Sequence, residues 1–245
     1  MNFTEKQLKR SRVFYIIEAT VEYLLSLLVT GSFLATLTGE LGFSDGLTGI
    51  LSSFVSLGCL FQLLALTLRK KTVKRLATFL SIANQVLFIL LYVVPLTPIS
   101  TTVKTVVFIA FLFTAYIIFN FIEPHKISWL MSLVDDKQRG TFTANKEIVS
   151  LISGMVFSFS MGTVMDRFVL AGDTRTAFII AALVMFVLMV IHTLMLVFTV
   201  EKEKAEEKKT PLGESIKAVL SDKNVLRVTV IYILYYISNS RFDFK

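Results

Sequence analysis

The stretch VFYIIEATVEYLLSLLVTGSFLATL, residues 13–37, decides the fold class, because it is long and apolar enough to cross a lipid bilayer. It opens a region, 13–68, that contains no lysine or arginine. A spanning helix needs about 20 apolar residues, so this region predicts two spans, at 13–37 and 47–68, joined by the glycine-rich turn 39–46. The first span is not a cleaved signal peptide, since its apolar run is too long and contains Glu18 and Glu22.

Four more apolar stretches follow, at 76–95, 105–133, 148–165 and 177–200. Pro124 lies inside the second span of this group, 105–133, and is expected to kink it. The chain is 54% hydrophobic and only 18% charged, with a mean hydropathy of +0.71. We therefore expect an all-α, polytopic membrane bundle: a six-helix domain at 1–200, a cytoplasmic linker with an amphipathic segment at 201–224, and an incomplete seventh helix at 225–245.

The net charge of +7 follows from the placement of the cations. With the amino terminus inside, the predicted inner segments hold 19 lysines and arginines, whereas the outer loops hold only Lys104, Arg167 and Arg175. This bias predicts a multi-pass protein of the plasma or inner membrane with a cytoplasmic amino terminus. Nucleic acid is not an expected partner, because no helix-turn-helix, zinc finger or base-stacking motif is present. The lipid bilayer is an expected partner of the apolar spans.

Glu18 and Glu22 are the first candidate site residues, since an ionised side chain at mid-membrane costs about 2.5 to 3.5 kcal/mol. Their i, i+4 spacing puts them on one helix face, which should turn toward the bundle interior. Two close carboxylates are the kind of group that can carry a proton. The alternative is structural: Glu18 reaches the inner surface and Glu22 hydrogen-bonds within the bundle.

A second cluster surrounds Pro124 on the fourth predicted span. Lys126 and Glu22 lie at similar depths, about 10 Å and 14 Å from the ends of their spans at 1.5 Å per residue, which predicts an ion pair between the two helices. The cluster is then either a pocket for an anionic group or a proton, or a set of ion pairs that holds the bundle together. Its members are Asn120, Glu123, His125 and Lys126.

Other polar residues in the apolar spans favour structural roles. Single polar side chains usually form hydrogen bonds between helices, and those concerned are Gln62, Asn84, Gln85 and His192. Gly154 and Gly162, with three nearby serines, make a small-residue surface suited to close helix packing. Tyr15 and Trp129 are interpreted as anchors at the membrane interface rather than as ligand platforms.

Enzyme signatures are missing from the chain. It has no His-Glu-x-x-His, no Gly-x-Ser-x-Gly, no phosphate-binding loop and no dinucleotide glycine pattern. One cysteine and two histidines far apart give little basis for a metal site. We expect no enzyme activity, no cofactor and no metal. An intramembrane enzyme would need an unrecognised constellation such as Glu123 with His125.

Residues 129–142 read WLMSLVDDKQRGTF, and Gly154, Gly162 and Asp166 follow on the next predicted span. This pattern resembles the loop between helices 4 and 5 of the major facilitator superfamily (MFS), where a Trp and a Leu-Val lead into Arg-Gly and a glycine-bearing helix that ends near an aspartate. The outer turn at 41–42, Gln62 and the amphipathic stretch 212–227 are similar to the family as well. The chain departs from it at 65–75, which keeps the cations of the loop between helices 2 and 3 but not its aspartate and glycines, and at Asp135, where proline is common.

The resemblance implies six helices built as two inverted three-helix repeats, with helices 1 and 4 facing a central cavity. The implied pathway residues are Glu18, Glu22, Asn120, Glu123, His125 and Lys126. The implied cytoplasmic gate residues are Arg69, Lys70, Arg139 and Gly140. The family moves small solutes, driven by a proton or sodium gradient or by the substrate alone.

Two hypotheses of function follow. The first is secondary active transport of an unidentified small solute, with protons as a candidate coupling ion and this chain as the amino-terminal half of a transporter whose carboxy-terminal half is its missing partner. The alternative is a membrane-embedded scaffold or assembly partner without transport activity.

Overall fold

The computed structural model describes residues 3–58, 61–65 and 72–202, together with Ser221, Lys223 and Arg227. The chain divides into two units, Met1–Lys204 and Ala205–Lys245. Its described residues form helices and no strand, which confirms the all-α prediction. The α-helices are α1 Glu5–Leu27, α2 Gly31–Glu40, α3 Asp45–Ser52, α4 Phe54–Gly58, α5 Gln62–Ala65, α6 Lys74–Val93, α7 Thr101–Met131, α8 Arg139–Leu170 and α9 Thr174–Phe198.

Five helical segments within the described part are long and apolar enough to cross a membrane: Glu5–Glu40, Lys74–Leu96, Thr101–Met131, Asp136–Leu170 and Thr174–Phe198. They match the predicted spans 1, 3, 4, 5 and 6. Over the predicted second span the structure describes only the short helices α3, α4 and α5, and residues 59–60 and 66–71 lie outside the described part. The second predicted span therefore stays a prediction, as do the domain boundaries at 200 and 224.

The first span is broken in its middle, which the sequence analysis did not anticipate. α1 ends at Leu27 and α2 begins at Gly31, whose φ of 53° lies in the left-handed region that favours glycine. The hydroxyl of Thr30 donates to the carbonyl of Ser26 at 2.9 Å, and the same carbonyl also accepts the N–H of Val29 at 3.2 Å at the end of α1. Backbone irregularity at membrane depth is tolerated where it is covered by protein or lines a cavity.

The helices pair in a pattern that agrees with two inverted repeats. α1 packs on α8 and α9, while α7 packs on the α4–α5 segment and on α6. When the first three predicted spans are exchanged with the last three, α1 corresponds to α7, the α4–α5 segment to α8, and α6 to α9. The pairing of α1 with α9 then corresponds to the pairing of α7 with α6. α6 and α9 also pack on each other, a pairing that the same exchange maps onto itself.

Two apolar clusters fill the bundle, and a polar layer separates them. On α1 the smaller cluster includes Tyr15 and the larger one begins at Val21; on α7 they include Trp129 and Tyr116 respectively. α9 follows the same order, with Leu196 in the smaller cluster. Glu18 on α1, Lys126 on α7 and His192 on α9 lie between the two clusters, so the fold brings these three side chains to one level.

The four residues that follow α9, 199–202, fasten the predicted inner ends of several helices, and we call them the clasp. The carboxylate of Glu201 accepts the N–H of Val73 and, at 2.9 Å, the N–H of Lys74 at the start of α6. The ammonium of Lys74 in turn donates a hydrogen bond to the carbonyl of Thr199 at 2.7 Å. Three further bonds reach α1 and α7: Val200 N to Ser11 Oγ, Trp129 Nε1 to Val200 O, and Lys202 Nζ to Ser132 O.

Candidate functional site

Lys126 is the centre of the site. Its side chain is 1% exposed, and its ammonium Nζ lies 3.1 Å from an oxygen of Glu18 and 2.8 Å from an oxygen of Glu123. It also forms an ion pair with Glu22. The predicted pair between Lys126 and Glu22 is therefore present, within a larger group of one ammonium and three carboxylates from α1 and α7. A buried lysine is retained in a membrane protein only when it is paired in this way.

Helix geometry explains why these side chains converge. Glu18 and Glu22 are one turn apart on α1, and Glu123 and Lys126 are i, i+3 on α7, so each pair projects from a single face. Pro124 lies inside α7, which continues from Thr101 to Met131.

A third helix contributes His192, which the sequence analysis assigned only to interhelical hydrogen bonding. The ring is fully buried on α9, and its Nε2 lies 3.0 Å from Glu18 Oε1 and 3.7 Å from Glu22 Oε1. The expected interhelical bond is present, but its partner is the charged cluster. His192 lies about one helical turn from Leu196, as Glu18 does from Tyr15, and those two apolar residues share a cluster, so the packing of α9 on α1 brings the ring to Glu18.

The charged group opens into a cavity of about 210 Å³ between α1, α7 and α8. Glu22 and Glu123 are 19% and 18% exposed, whereas Glu18 is 1% exposed although all three border the cavity. α8 adds Lys146 and Glu147, which pair with each other at 2.7 Å. Sequence reasoning missed these two as site residues because their charges were counted with the predicted inner loop.

The charges of the cluster do not balance. Three glutamates face one lysine, so full ionisation of these four groups leaves a net charge of −2. In a medium of low dielectric constant such an excess favours the binding of a proton or of a cationic or hydrogen-donating ligand. The arrangement can therefore exchange protons and hydrogen bonds at the cavity surface.

A metal ion fits these residues poorly. Glu18, Glu22 and His192 offer three ligand atoms within 4.8 Å of one another. The ammonium of Lys126, however, already contacts both carboxylates, so a cation would have to displace it. The donor set suits a lysine ion pair better.

The structure places the other predicted pathway residues elsewhere. Asn120 is buried outside the lining of the cavity, where it accepts a hydrogen bond from Gln62 at 3.0 Å and donates to the carbonyl of Tyr116 at 2.9 Å. It joins α7 to α5, as single polar residues commonly do. His125 is half-buried on α7 and does not border the described cavity.

The predicted gate residues are partly outside the described chain. Arg69 and Lys70 lie outside the described residues. Arg139 begins α8 and pairs with Asp136 at 2.9 Å, and Gly140 is exposed beside it. Their gating role stays a prediction.

The interpretation of Tyr15 and Trp129 as interface anchors is wrong for this structure. Tyr15 is 3% exposed and lines the charged cavity, and Trp129 is 1% exposed with its indole N–H bonded to the clasp at 3.0 Å. Both rings are covered by protein rather than by lipid headgroups.

The predicted interhelical polar residues and packing glycines have mixed outcomes. Asn84 donates to the carbonyl of Ala115 on α7 at 2.8 Å, as expected, while Gln85 Oε1 has no hydrogen-bond partner among the described residues. Gly154 confirms close packing, because an added Cβ would collide with the ring of Tyr23 on α1. Gly162 does not: it lies in open space beside a second cavity, of about 280 Å³, at the break between α1 and α2.

A comparison with protein-family models finds one family. The model described as MFS/sugar transport protein matches residues 76–239, more than half of the 245-residue chain. No curated protein and no solved structure matches the chain. The match covers α6 to α9, which agrees with the helical bundle and with the motif at 129–166. The chain is thus a multi-pass membrane protein that belongs to the MFS/sugar transport protein family, whose members carry small solutes across membranes.

Proposed function

We propose that this protein is a secondary active transporter of a sugar-like solute, with a proton as the coupling ion. The observation that carries the proposal is the buried ammonium of Lys126, held by Glu18, Glu22 and Glu123 at the edge of a cavity. Charged groups inside a membrane bundle are costly, and they mark substrate and ion pathways.

The chemistry of the cavity suits a solute rich in hydroxyl groups. Glu22 and Glu123 supply hydrogen-bond acceptors, while Lys126 and Lys146 supply donors. A hydroxyl both donates and accepts, so a sugar can replace parts of the ion-pair network without leaving a buried charge unpaired. This match supports a neutral polyol over an apolar or a strongly charged solute.

The charge excess supports proton coupling. One proton on Glu22 or Glu123 reduces the repulsion among the carboxylates and releases Lys126 to a different partner. Binding of a proton and binding of the solute then act on the same ammonium, which is the link that coupled transport requires. The proposed location of these events is the plasma or inner membrane, with the amino terminus cytoplasmic.

Uptake into proteoliposomes tests the proposal. The full chain, alone and with a co-expressed carboxy-terminal half of a family member, is offered a panel of radiolabelled hexoses and disaccharides with and without an inward proton gradient. We expect accumulation of at least one sugar that requires the gradient. Glu22→Gln should abolish accumulation against a gradient, and Lys126→Ala should abolish uptake.

The exposed Lys137→Ala serves as the matched control for Lys126→Ala and should transport normally. Uptake that does not respond to the gradient would remove the coupling part of the proposal. If the folded protein moves no sugar in either format, the scaffold hypothesis is favoured instead.

A further inference from the structure

We propose that His192 is a positioning residue that fixes Glu18, and through it Lys126, so that protons and solute are exchanged at Glu22 and Glu123. The inference rests on the proposed transport function. It divides the cluster into a fixed back and an exchangeable front, a division that the family match does not contain.

The back consists of His192 and Glu18. His192 is fully buried on α9 and does not border the described cavity, while Glu18 is 1% exposed. The carboxylate can only accept hydrogen bonds, so the ring must donate from Nε2, and it does so over 3.0 Å to Oε1. Oε1 of Glu18 also contacts Lys126 at 3.1 Å. One oxygen thus joins three helices.

The front consists of Glu22 and Glu123. Both contact Lys126, both border the cavity, and each is nearly one-fifth exposed. When Glu22 or Glu123 gives up its contact with the Lys126 ammonium and binds a proton or a solute hydroxyl instead, Lys126 keeps its contact with Glu18. The His192 ring is anchored on α9, so its hydrogen bond to Glu18 Oε1 prevents Glu18 from following Lys126 into the cavity.

The surroundings of the ring leave His192 little freedom to act otherwise. The charged and titratable groups that face it are Glu18 and Glu22 from α1, with Lys126 from α7 on the far side of the shared oxygen. Its second nitrogen, Nδ1, is buried and has no hydrogen-bond partner among the described residues. In the neutral ring this nitrogen carries only a lone pair, so the Nε2–H tautomer leaves no donor unpaired.

Nuclear magnetic resonance tests the contact without any solute. The chain has two histidines, so ¹⁵N-histidine labelling of the full protein in lipid nanodiscs gives two sets of signals, and a His125→Gln variant assigns them. We expect His192 to be the Nε2–H tautomer, with an Nε2 signal that moves in Glu18→Gln and moves less in Glu22→Gln, as the distances of 3.0 and 3.7 Å require. The opposite tautomer, or a signal insensitive to Glu18→Gln, overturns the proposal.

Transport variants test the positioning role, using whichever sugar of the panel is accumulated. His192→Leu removes the donor and should lower turnover about tenfold, the factor that corresponds to one charge-assisted hydrogen bond, with KM changed less than about twofold because the ring does not border the cavity. His192→Gln can still donate to Glu18 and should recover most of the turnover. Met185→Leu, on the same buried side of α9, is the packing control.

The outcomes separate the two proposals. Absence of sugar uptake by the native protein contradicts the transport function, while the resonance experiment still judges the contact. Native turnover in His192→Leu contradicts the positioning role. If His192→Leu does not fold, the decision passes to His192→Gln: turnover as low as that of Glu18→Gln in a folded His192→Gln protein also contradicts it, and near-native turnover supports it.

Discussion

Replacing Lys126 by methionine should destabilise the bundle more than any other single change in the cluster. Methionine keeps most of the volume of the side chain and removes only the charge, so packing is nearly preserved. The variant leaves Glu18, Glu22 and Glu123 without their common cation.

The magnitude follows from the geometry. Two unit charges 3.1 Å apart attract by about 5 kcal/mol at an effective dielectric constant of about 20, and the cost of burying them offsets part of that. Removing one partner of a buried pair typically costs about 3 to 5 kcal/mol, since the other charge is left uncompensated. Here three carboxylates are left, so we expect the upper part of that range.

Unfolding of the purified protein in mixed micelles, followed by circular dichroism, measures this effect. Lys137→Met is the matched control, because Lys137 is exposed, and it should change the free energy of unfolding by less than about 0.5 kcal/mol. A double-mutant cycle with Glu18→Gln isolates the pair. A loss of less than about 1 kcal/mol in Lys126→Met would contradict the assignment of Lys126 as the common cation of the three carboxylates.

Three further predictions concern packing and helix ends. Gly154→Leu should separate α8 from the ring of Tyr23 and lower stability by about 1 to 3 kcal/mol, whereas Gly162→Leu, in open space, should cost much less; thermal unfolding compares them. Glu201→Ala should remove the cap from the first amides of α6 and speed their hydrogen exchange severalfold, with no change in α8 as the internal reference. Hydrogen bonds from the first turn of α9 hold the pKa of the Asp173 carboxyl below its usual range. The Asp173 cap of α9 should therefore be fully present above the usual pKa range and be lost as the pH falls through the lowered pKa. Hydrogen exchange of the first α9 amides as a function of pH measures this loss.

The spans and the charged cluster were accessible from the sequence because the bilayer imposes a simple rule on it. A run of apolar residues of the right length must be a helix, and an ionised residue inside that run must find a partner. Lys126 and Glu22 could be paired from depth along their helices alone. The same reasoning extends to Glu18 and Glu123, which share helix faces with them.

The remaining features depend on which helices touch, and periodicity does not report that. His192 has ordinary apolar neighbours on α9, so nothing local indicates that its ring meets Glu18. Lys146 lies before the predicted start of its span, outside the apolar run. α8 nevertheless begins at Arg139, so Lys146 lies on this helix and borders the cavity. The break before Gly31 arises from a single left-handed residue inside an otherwise uniform apolar run.

The clasp has a mechanical consequence. Its residues are bonded to the ends of α1, α6 and α7, while Trp129, one of its partners, lies one helical turn from Lys126. A tension applied to the chain at Lys202 is therefore shared among three helices instead of unravelling α9 alone. Of these, α7 has the shortest path to the buried ammonium. A displacement of the chain at Lys202 should therefore reach the helix that carries the central charge through the hydrogen bonds to Trp129 and Ser132.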